Sequence, residues 1–325
     1  MAAGQRWATG ALAWLRSPTP TFADLPPLAA WDRWLATILP VVFAVSSGFQ
    51  LTAYVIAPNG IGIDARLYAL AAQTWLAGGD PWSVSLLGIT FAAPPPTLLV
   101  IAPLAFLPEA TVVPVTIAAC LLLVTAAIRS LGLPLWWLAF PPTMHAIVVG
   151  NPDALVLAAL VVLGRRLDPI APFAKIYAIA PMVADRRWRS LLIVAVLIVA
   201  TIPILPWQQW IAAGPSLSEA LAGTSASTSV YGQPVLMAIG IVALLALGVR
   251  RAGWLAVPVL WPWTQPHYMT MSVPALTPML AIVWSIPWLP PLLVLGSVVV
   301  AAIGYRLLPL AAPRPTHLAT NGVHA

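Results

Sequence analysis

Residues 35–57 read LATILPVVFAVSSGFQLTAYVIA, a stretch that contains no Asp, Glu, Lys or Arg. A helix needs about 20 consecutive apolar residues to cross a lipid bilayer, so this stretch is long enough. The rest of the chain has a similar character, because 61% of its 325 residues are hydrophobic and only 7% are Asp, Glu, Lys or Arg. Soluble domains carry about 25% of these charged residues. The sequence therefore predicts an all-α, polytopic transmembrane helical bundle.

Ten further apolar runs follow this first one, and several are shorter than a straight span. We therefore expect about 9–11 spans, some of them broken. Residues 1–34 are predicted to be a cytoplasmic interfacial segment, 35–309 the transmembrane domain and 310–325 a disordered tail. The later runs lie near 94–108, 111–128, 133–149, 152–164, 169–184, 190–206, 233–249, 252–269, 271–287 and 289–309.

The basic residues come in short clusters between apolar runs, although the net charge is +6. This spacing is typical of a multi-pass protein of the cell membrane and does not favour a nucleic-acid partner. By the positive-inside rule, the clusters at 186–189 and 250–251 are predicted to be cytoplasmic. Alternating eleven spans then places Arg129 and 165–166 on the outer side, against the same rule.

The long loops at 58–93 and 207–232 fall on the outer side in this topology. The first contains the sequence GIDARLY at 62–68. A surface helix should begin near Asp64 and end at the Gly-Gly-Asp-Pro turn, with Asp64 and Tyr68 on one face. Asp64 is either a helix cap or a general base that is reached from the outer aqueous side. The residue by itself favours neither.

Two later polar residues interrupt apolar sequence. Lys175 is the only lysine of the chain and lies inside the run at 169–184. It either extends to an interface or pairs with an anion such as a lipid phosphate, because an unpaired ammonium in a membrane is costly. His267 follows Gln265 in the segment WTQPHY at 263–268, near the outer end of a late run.

Several short motifs, taken in order, resemble those of glycosyltransferase family 87. In this sequence they are DARLY at 64–68, GGDPW at 78–82, FAAPPP at 91–96, PL at 103–104, LP at 107–108, Gly150-Asn151, Lys175, the basic cluster at 186–189 and WTQPHY at 263–268. Ile176 stands where the family usually has Pro.

The resemblance implies a GT-C-like membrane enzyme, an inverting polyprenyl-phosphate-dependent glycosyltransferase. It would move a sugar such as mannose from the lipid donor to a hydroxyl of a glycan or glycolipid acceptor on the extracytoplasmic side. Neither a metal nor a cofactor is implied. The resemblance implies that Asp64 is the general base. It also implies a donor-binding group made of Lys175, His267, Tyr68, Arg66 and Gln265.

Two other function classes fit the same features. A transporter or flippase for a lipid-linked or small solute would also use charged groups inside the membrane. Transporters usually show repeated halves, and this sequence shows none. A non-catalytic membrane subunit that descends from the enzyme is the third alternative.

Overall fold

A computed structural model describes residues 29–222, 227–262 and 264–307. The predicted tail at 310–325 and all but the end of the predicted interfacial segment lie outside this part of the chain. The described part is mostly helical, and its strands are β1 (Ser85–Leu86) and β2 (Ile89–Thr90), which pair antiparallel.

The α-helices are broken by many prolines and glycines and are mostly short. In chain order they are α1 (Ala29–Ile56), α2 (Ile63–Leu76), α3 (Pro96–Ile101), α4 (Glu109–Ser130), α5 (Pro141–Val149), α6 (Asp153–Val161), α7 (Gly164–Leu167), α8 (Ile170–Ala174), α9 (Ile179–Ala184), α10 (Trp188–Thr201), α11 (Trp207–Ala222), α12 (Pro234–Ala246), α13 (Val249–Leu260), α14 (Pro278–Val283) and α15 (Pro291–Ala302). Segments of 3₁₀-helix cover Pro58–Gly60, Pro81–Ser83, Ala102–Phe106, Leu135–Ala139, Ile176–Ala178 and Pro266–Ala275, and a π-helix covers Ile303–Leu307.

Among the described residues, two helices are long and apolar enough to cross a membrane, namely α1 from Trp34 onward and α4. The pair α5 and α6 makes a third candidate, but these two helices meet at an angle of 117°. The predicted runs therefore do not become eleven straight spans. Four shorter apolar helices have 10–17 residues, and they are Pro96–Phe106, Trp188–Thr201, Pro234–Ala246 and Pro291–Tyr305.

The sharp bend between α5 and α6 forms a helical hairpin. Gly150 ends α5 in a left-handed conformation, with φ of 74°, which glycine adopts without strain. Next to this tip, the Cys120 thiol of α4 lies 3.5 Å from the Asn151 carbonyl. At the far end of α6, the Ser130 hydroxyl donates to the Val161 carbonyl at 2.9 Å. Helix α6 therefore runs alongside α4, away from the hairpin tip.

The run at 169–184, which was predicted to be a span, is a second hairpin. Helix α8 ends at Lys175, whose backbone is extended, and α9 follows after one turn of 3₁₀-helix. The two ends of the segment meet in an ion pair of 3.2 Å between Arg187 and Asp168. Lys175 therefore lies at the tip. Asp168 is fully buried in this pair.

A third hairpin connects α13 with the long 3₁₀-helix. The Ser272 hydroxyl donates to the Trp254 carbonyl at 2.9 Å, so the two segments lie side by side. Arg250 at the start of α13 pairs with Asp185, just after α9, at 2.9 Å. The tip, which includes 261–262 and 264–265, therefore lies at the opposite end of this hairpin from the ion pair.

The ends of these hairpins that lie away from the tips share one end of the molecule, here called the basic end. The Arg187 guanidinium donates to the Leu160 carbonyl at 2.9 Å, which joins the last turn of α6 to this end. Arg129, in the last turn of α4, and the backbone at 165–166 lie there too. The placement of these arginines opposite the cluster at 186–189 is therefore wrong. The described basic clusters share one end, as the positive-inside rule expects.

That placement failed because 169–184, the second hairpin, was counted as a span, and so was 94–108. In the structure the segment at 94–108 turns back before it crosses. Its later residues Leu104 and Leu107 pack against Ala65 of α2 and Val112 of α4. The segment therefore begins and ends near α2, so removing this crossing reverses the predicted side of Arg129 and of 165–166. The hairpin at 169–184 removes a second crossing, which returns the cluster at 186–189 to its predicted side.

Helix α2 begins at Ile63, as the sequence predicted, and ends before the turn at 78–81. The face that carries Asp64 and Tyr68 is buried, with Leu67 and Ala71 in a small core that also includes Leu217 of α11. The sequence predicted an outer loop at 207–232, and the structure shows that α11 occupies most of it. Helix α11 packs near the strand pair and covers this face of α2.

Candidate functional site

Asp64 lies in the first turn of α2 but does not cap the helix. Gly62 is the N-cap residue, and no side chain donates or accepts a capping bond there. The Asp64 carboxylate instead accepts a hydrogen bond of 2.6 Å from the Asn151 amide, across the tip of the first hairpin. Only 7% of Asp64 is exposed. This arrangement does not support the helix-cap interpretation of the residue.

Burial raises the pKa of Asp64 above its ordinary value, because the charged form loses hydration. The hydrogen bond from Asn151 and the nearby Lys175 ammonium both act in the opposite direction. A carboxylate in such surroundings accepts a proton more readily than one in water. This is the property that a general base requires.

Asn151 connects Asp64 to a histidine on the third hairpin. Its amide nitrogen lies 3.0 Å from Nε2 of His267. The same Nε2 atom lies 3.9 Å from a carboxylate oxygen of Asp153, which is too far for a hydrogen bond. Asp153 is fully buried, accepts a hydrogen bond from the Tyr177 hydroxyl and does not line the cavity.

Lys175 faces the same region from the tip of the second hairpin. Its ammonium lies 5.6 Å from the ring centre of Tyr68 and 5.1 Å from that of Tyr268, and only 8% of the residue is exposed. Within the described part of the chain, no carboxylate oxygen lies within ion-pair distance of it. Phenol rings stabilise a cation more weakly than a carboxylate does. The ammonium can therefore still bind an anion.

These groups share a cavity of about 530 Å³, here called the Asp64 cavity. Its polar lining includes Asp64, Tyr68, Asn151, Lys175, Gln265 and His267. The remaining wall is largely apolar and aromatic and includes Phe91, Trp210, Leu217, Leu221 and Trp261. One wall thus suits a charged, hydrogen-bonding head group, and the other suits a hydrocarbon chain.

The structure brings five of the six residues predicted from the sequence to this cavity. The exception is Arg66, whose guanidinium donates to the Asn59 carbonyl at 2.6 Å and does not line the cavity. Several other lining residues were not in the predicted set, among them Asn151, Tyr177 and Tyr268. Each of these three lies within two residues of a predicted position or a helix break, and Asn151 and Tyr268 also belong to motifs quoted for the resemblance.

No known family, curated protein or solved structure matches this chain. Within residues 29–222, 227–262 and 264–307, no three His, Cys, Asp or Glu side chains form a group that could hold a metal ion. The geometry and chemistry of the Asp64 cavity are therefore the evidence for function.

Proposed function

We propose that the protein is an inverting glycosyltransferase that takes its sugar from a polyprenyl-phosphate donor. One observation carries the proposal: a buried carboxylate, and an ammonium that has no carboxylate partner among the described residues, line a cavity whose remaining wall is largely apolar. A sugar phosphate on a hydrocarbon chain has matching parts. Its phosphate would bind Lys175, and its chain would lie along the wall that includes Trp210 and Leu217.

In the reaction, Asp64 takes the proton from an acceptor hydroxyl as the oxygen attacks the anomeric carbon of the donor sugar. A new glycosidic bond forms, and the bond from the anomeric carbon to the phosphate oxygen breaks. The lipid phosphate leaves with the electron pair, facing Lys175, Gln265 and His267. Stabilisation of charge where it develops is usually the largest catalytic contribution.

The proposal extends to the fold. We propose a multi-pass, GT-C-like bundle in the cell membrane, with α2 and α11 on the extracytoplasmic side. The shared basic end of the described helices supports this orientation. The three hairpin tips lie away from that end, and a lipid donor could enter the cavity from the outer leaflet.

The direct test is Asp64→Asn, assayed for transfer of labelled sugar from a polyprenyl-phosphate donor in membranes. Asn can still accept the hydrogen bond from Asn151, so the variant should fold and bind donor. Loss of a general base typically lowers the rate by about a hundredfold to ten-thousandfold. Asp80→Asn is the matched control, because Asp80 only caps the next turn through Trp82. Full transfer by the Asp64→Asn variant would end this mechanism.

The pH profile of the same assay provides a second readout. A general base works only when it is deprotonated, so transfer should fall as pH drops through the pKa of Asp64. Because burial raises that pKa, the fall should begin above the ordinary range of about 4 for aspartate. Any residual transfer by the Asp64→Asn variant should not show this fall at low pH. A wild-type profile that is flat down to pH about 4 would argue against Asp64 as the base.

A transporter for an anionic amphiphile is the second candidate. The breaks at Gly150 and Lys175 favour it, because transporters bind substrates at interrupted helices. The same donor distinguishes the two. A protein that binds donor and moves it between leaflets without sugar transfer would be a transporter.

A further inference from the structure

A second cavity, of about 410 Å³, lies beside the first and is here called the His145 cavity. It lies between α1, α5 and the segment that follows α14. The two cavities share a wall, because His145 lines one and His267 lines the other, and their rings stack with centres 5.5 Å apart. Asn59 lines the second cavity, only a few residues before Asp64.

The polar lining of the His145 cavity is neutral. Of the described residues that line it, none is Asp, Glu, Lys or Arg. Its hydrogen-bonding groups include Gln50 and Tyr54 of α1, which both contact Nδ1 of His145. The Gln50 carbonyl oxygen is buried and has no hydrogen-bond partner. A buried polar atom without a partner is uncommon, and a ligand hydroxyl that donates to it would satisfy it.

The apolar rim of this cavity contains two residues in a disfavoured backbone conformation. Leu87 has φ of 51° and Trp288 has φ of 53°. Leu87 occupies a tight hairpin turn where Asn or Gly would fit without strain. Both side chains remain exposed, at 62% and 61%, so core packing does not explain them. Strained residues cluster at ligand clamps, and these two side chains line the cavity mouth.

We propose that the His145 cavity binds an uncharged glycoside. The sugar hydroxyls would bond to the neutral groups of Gln50, Tyr54 and Asn59, and the apolar part would lie against Leu87 and Trp288. A phosphate-bearing ligand is disfavoured, because this lining offers no cation. The role of this ligand as the sugar acceptor rests on the proposed function. In that proposal the donor binds in the Asp64 cavity, on the other side of the wall formed by His145 and His267. The binding itself does not depend on transfer.

The test measures equilibrium binding of radiolabelled phenyl hexosides to the full chain in phospholipid nanodiscs, without any donor lipid. Ala53→Trp fills the cavity from α1, and Ala44→Trp is its control, on an exposed part of the same helix that lines neither cavity. We expect Ala53→Trp to abolish saturable binding and Ala44→Trp to leave it unchanged.

A second pair of variants tests the polar wall without adding bulk. Gln50→Leu should weaken binding by about fivefold to tenfold, the usual effect of one lost hydrogen bond. Gln73→Leu, at an exposed position outside both cavities, should have no effect. Equal binding by the Gln50→Leu variant, or equal competition by phenol without the sugar, would overturn the glycoside assignment.

The two proposals fail separately. If the wild type shows no saturable binding of any phenyl hexoside up to millimolar concentrations, the second site is refuted whether or not sugar transfer occurs. If binding follows the pattern expected for these variants but transfer is absent with every donor, the glycosyltransferase proposal fails and the glycoside site stands.

Discussion

Replacing Lys175 with methionine should weaken the binding of a polyprenyl phosphate while leaving the fold intact. Only 8% of Lys175 is exposed, and the nearest described groups around its ammonium include the rings and hydroxyls of Tyr68 and Tyr268. In the proposed complex it meets a phosphate. A hydrogen bond to a charged group contributes about 1.5–3 kcal/mol, which corresponds to about a tenfold to 150-fold change in Kd.

The effect on stability should be much smaller. The variant loses two cation–π contacts, and each loss should lower the free energy of unfolding by about 0.5–2 kcal/mol. Against this, the variant no longer has to bury an ammonium, whose desolvation costs several kcal/mol. Methionine is flexible and apolar and can fill the same space. We expect these opposing effects to leave thermal stability close to that of the wild type.

The assay is equilibrium binding of a radiolabelled short-chain polyprenyl phosphate, without a sugar, to protein in nanodiscs of uncharged lipid. Arg66→Met is the matched control. The sequence predicted Arg66 for the same role, but its guanidinium bonds to Asn59 and does not line the cavity. Unchanged affinity in Lys175→Met, or an equal loss in Arg66→Met, would refute the assignment of the phosphate to Lys175.

Two further predictions concern the fold. Gly150→Ala should destabilise the protein by about 1–3 kcal/mol in thermal unfolding, because φ is 74° and the new Cβ would lie 2.8 Å from Ala65. Gly78→Ala, with φ of 83° and open space around it, should cost less, and an equal cost would contradict the close packing. After replacement of Cys120, an impermeant reagent should label cysteines at Ser83 and Ser130 from opposite sides of the membrane. Labelling of both cysteines from the same side would instead support the topology predicted from the sequence.

Local sequence predicted much of the helical content and several helix ends. The apolar run at 35–57 became α1, and the glycine turn after α2 ends that helix where expected. Hydropathy and helix-breaking residues act over a few turns, so they can be read without tertiary information. The same local signals could not show that 94–108 and 169–184 turn back, because a hairpin of apolar helices and a straight span have the same composition.

Only some residues of the Asp64 cavity could be predicted from the sequence. Lys175 was conspicuous because a charge inside an apolar run is costly, and Asp64 because it follows the longest such run. Asn151 gave a weaker signal, since an amide after a glycine is an ordinary turn. Its role became visible only through its hydrogen bonds to Asp64 and to His267.

By itself, the sequence determined that this chain is helical and apolar, and which polar residues are expensive to bury. Only the tertiary structure decided that they meet. Asn151 is 87 residues from Asp64 and 116 from His267 along the chain, and no local preference acts over such distances. Three hairpins bring these positions together, because each folds short helices back upon their neighbours and leaves its tip beside α2.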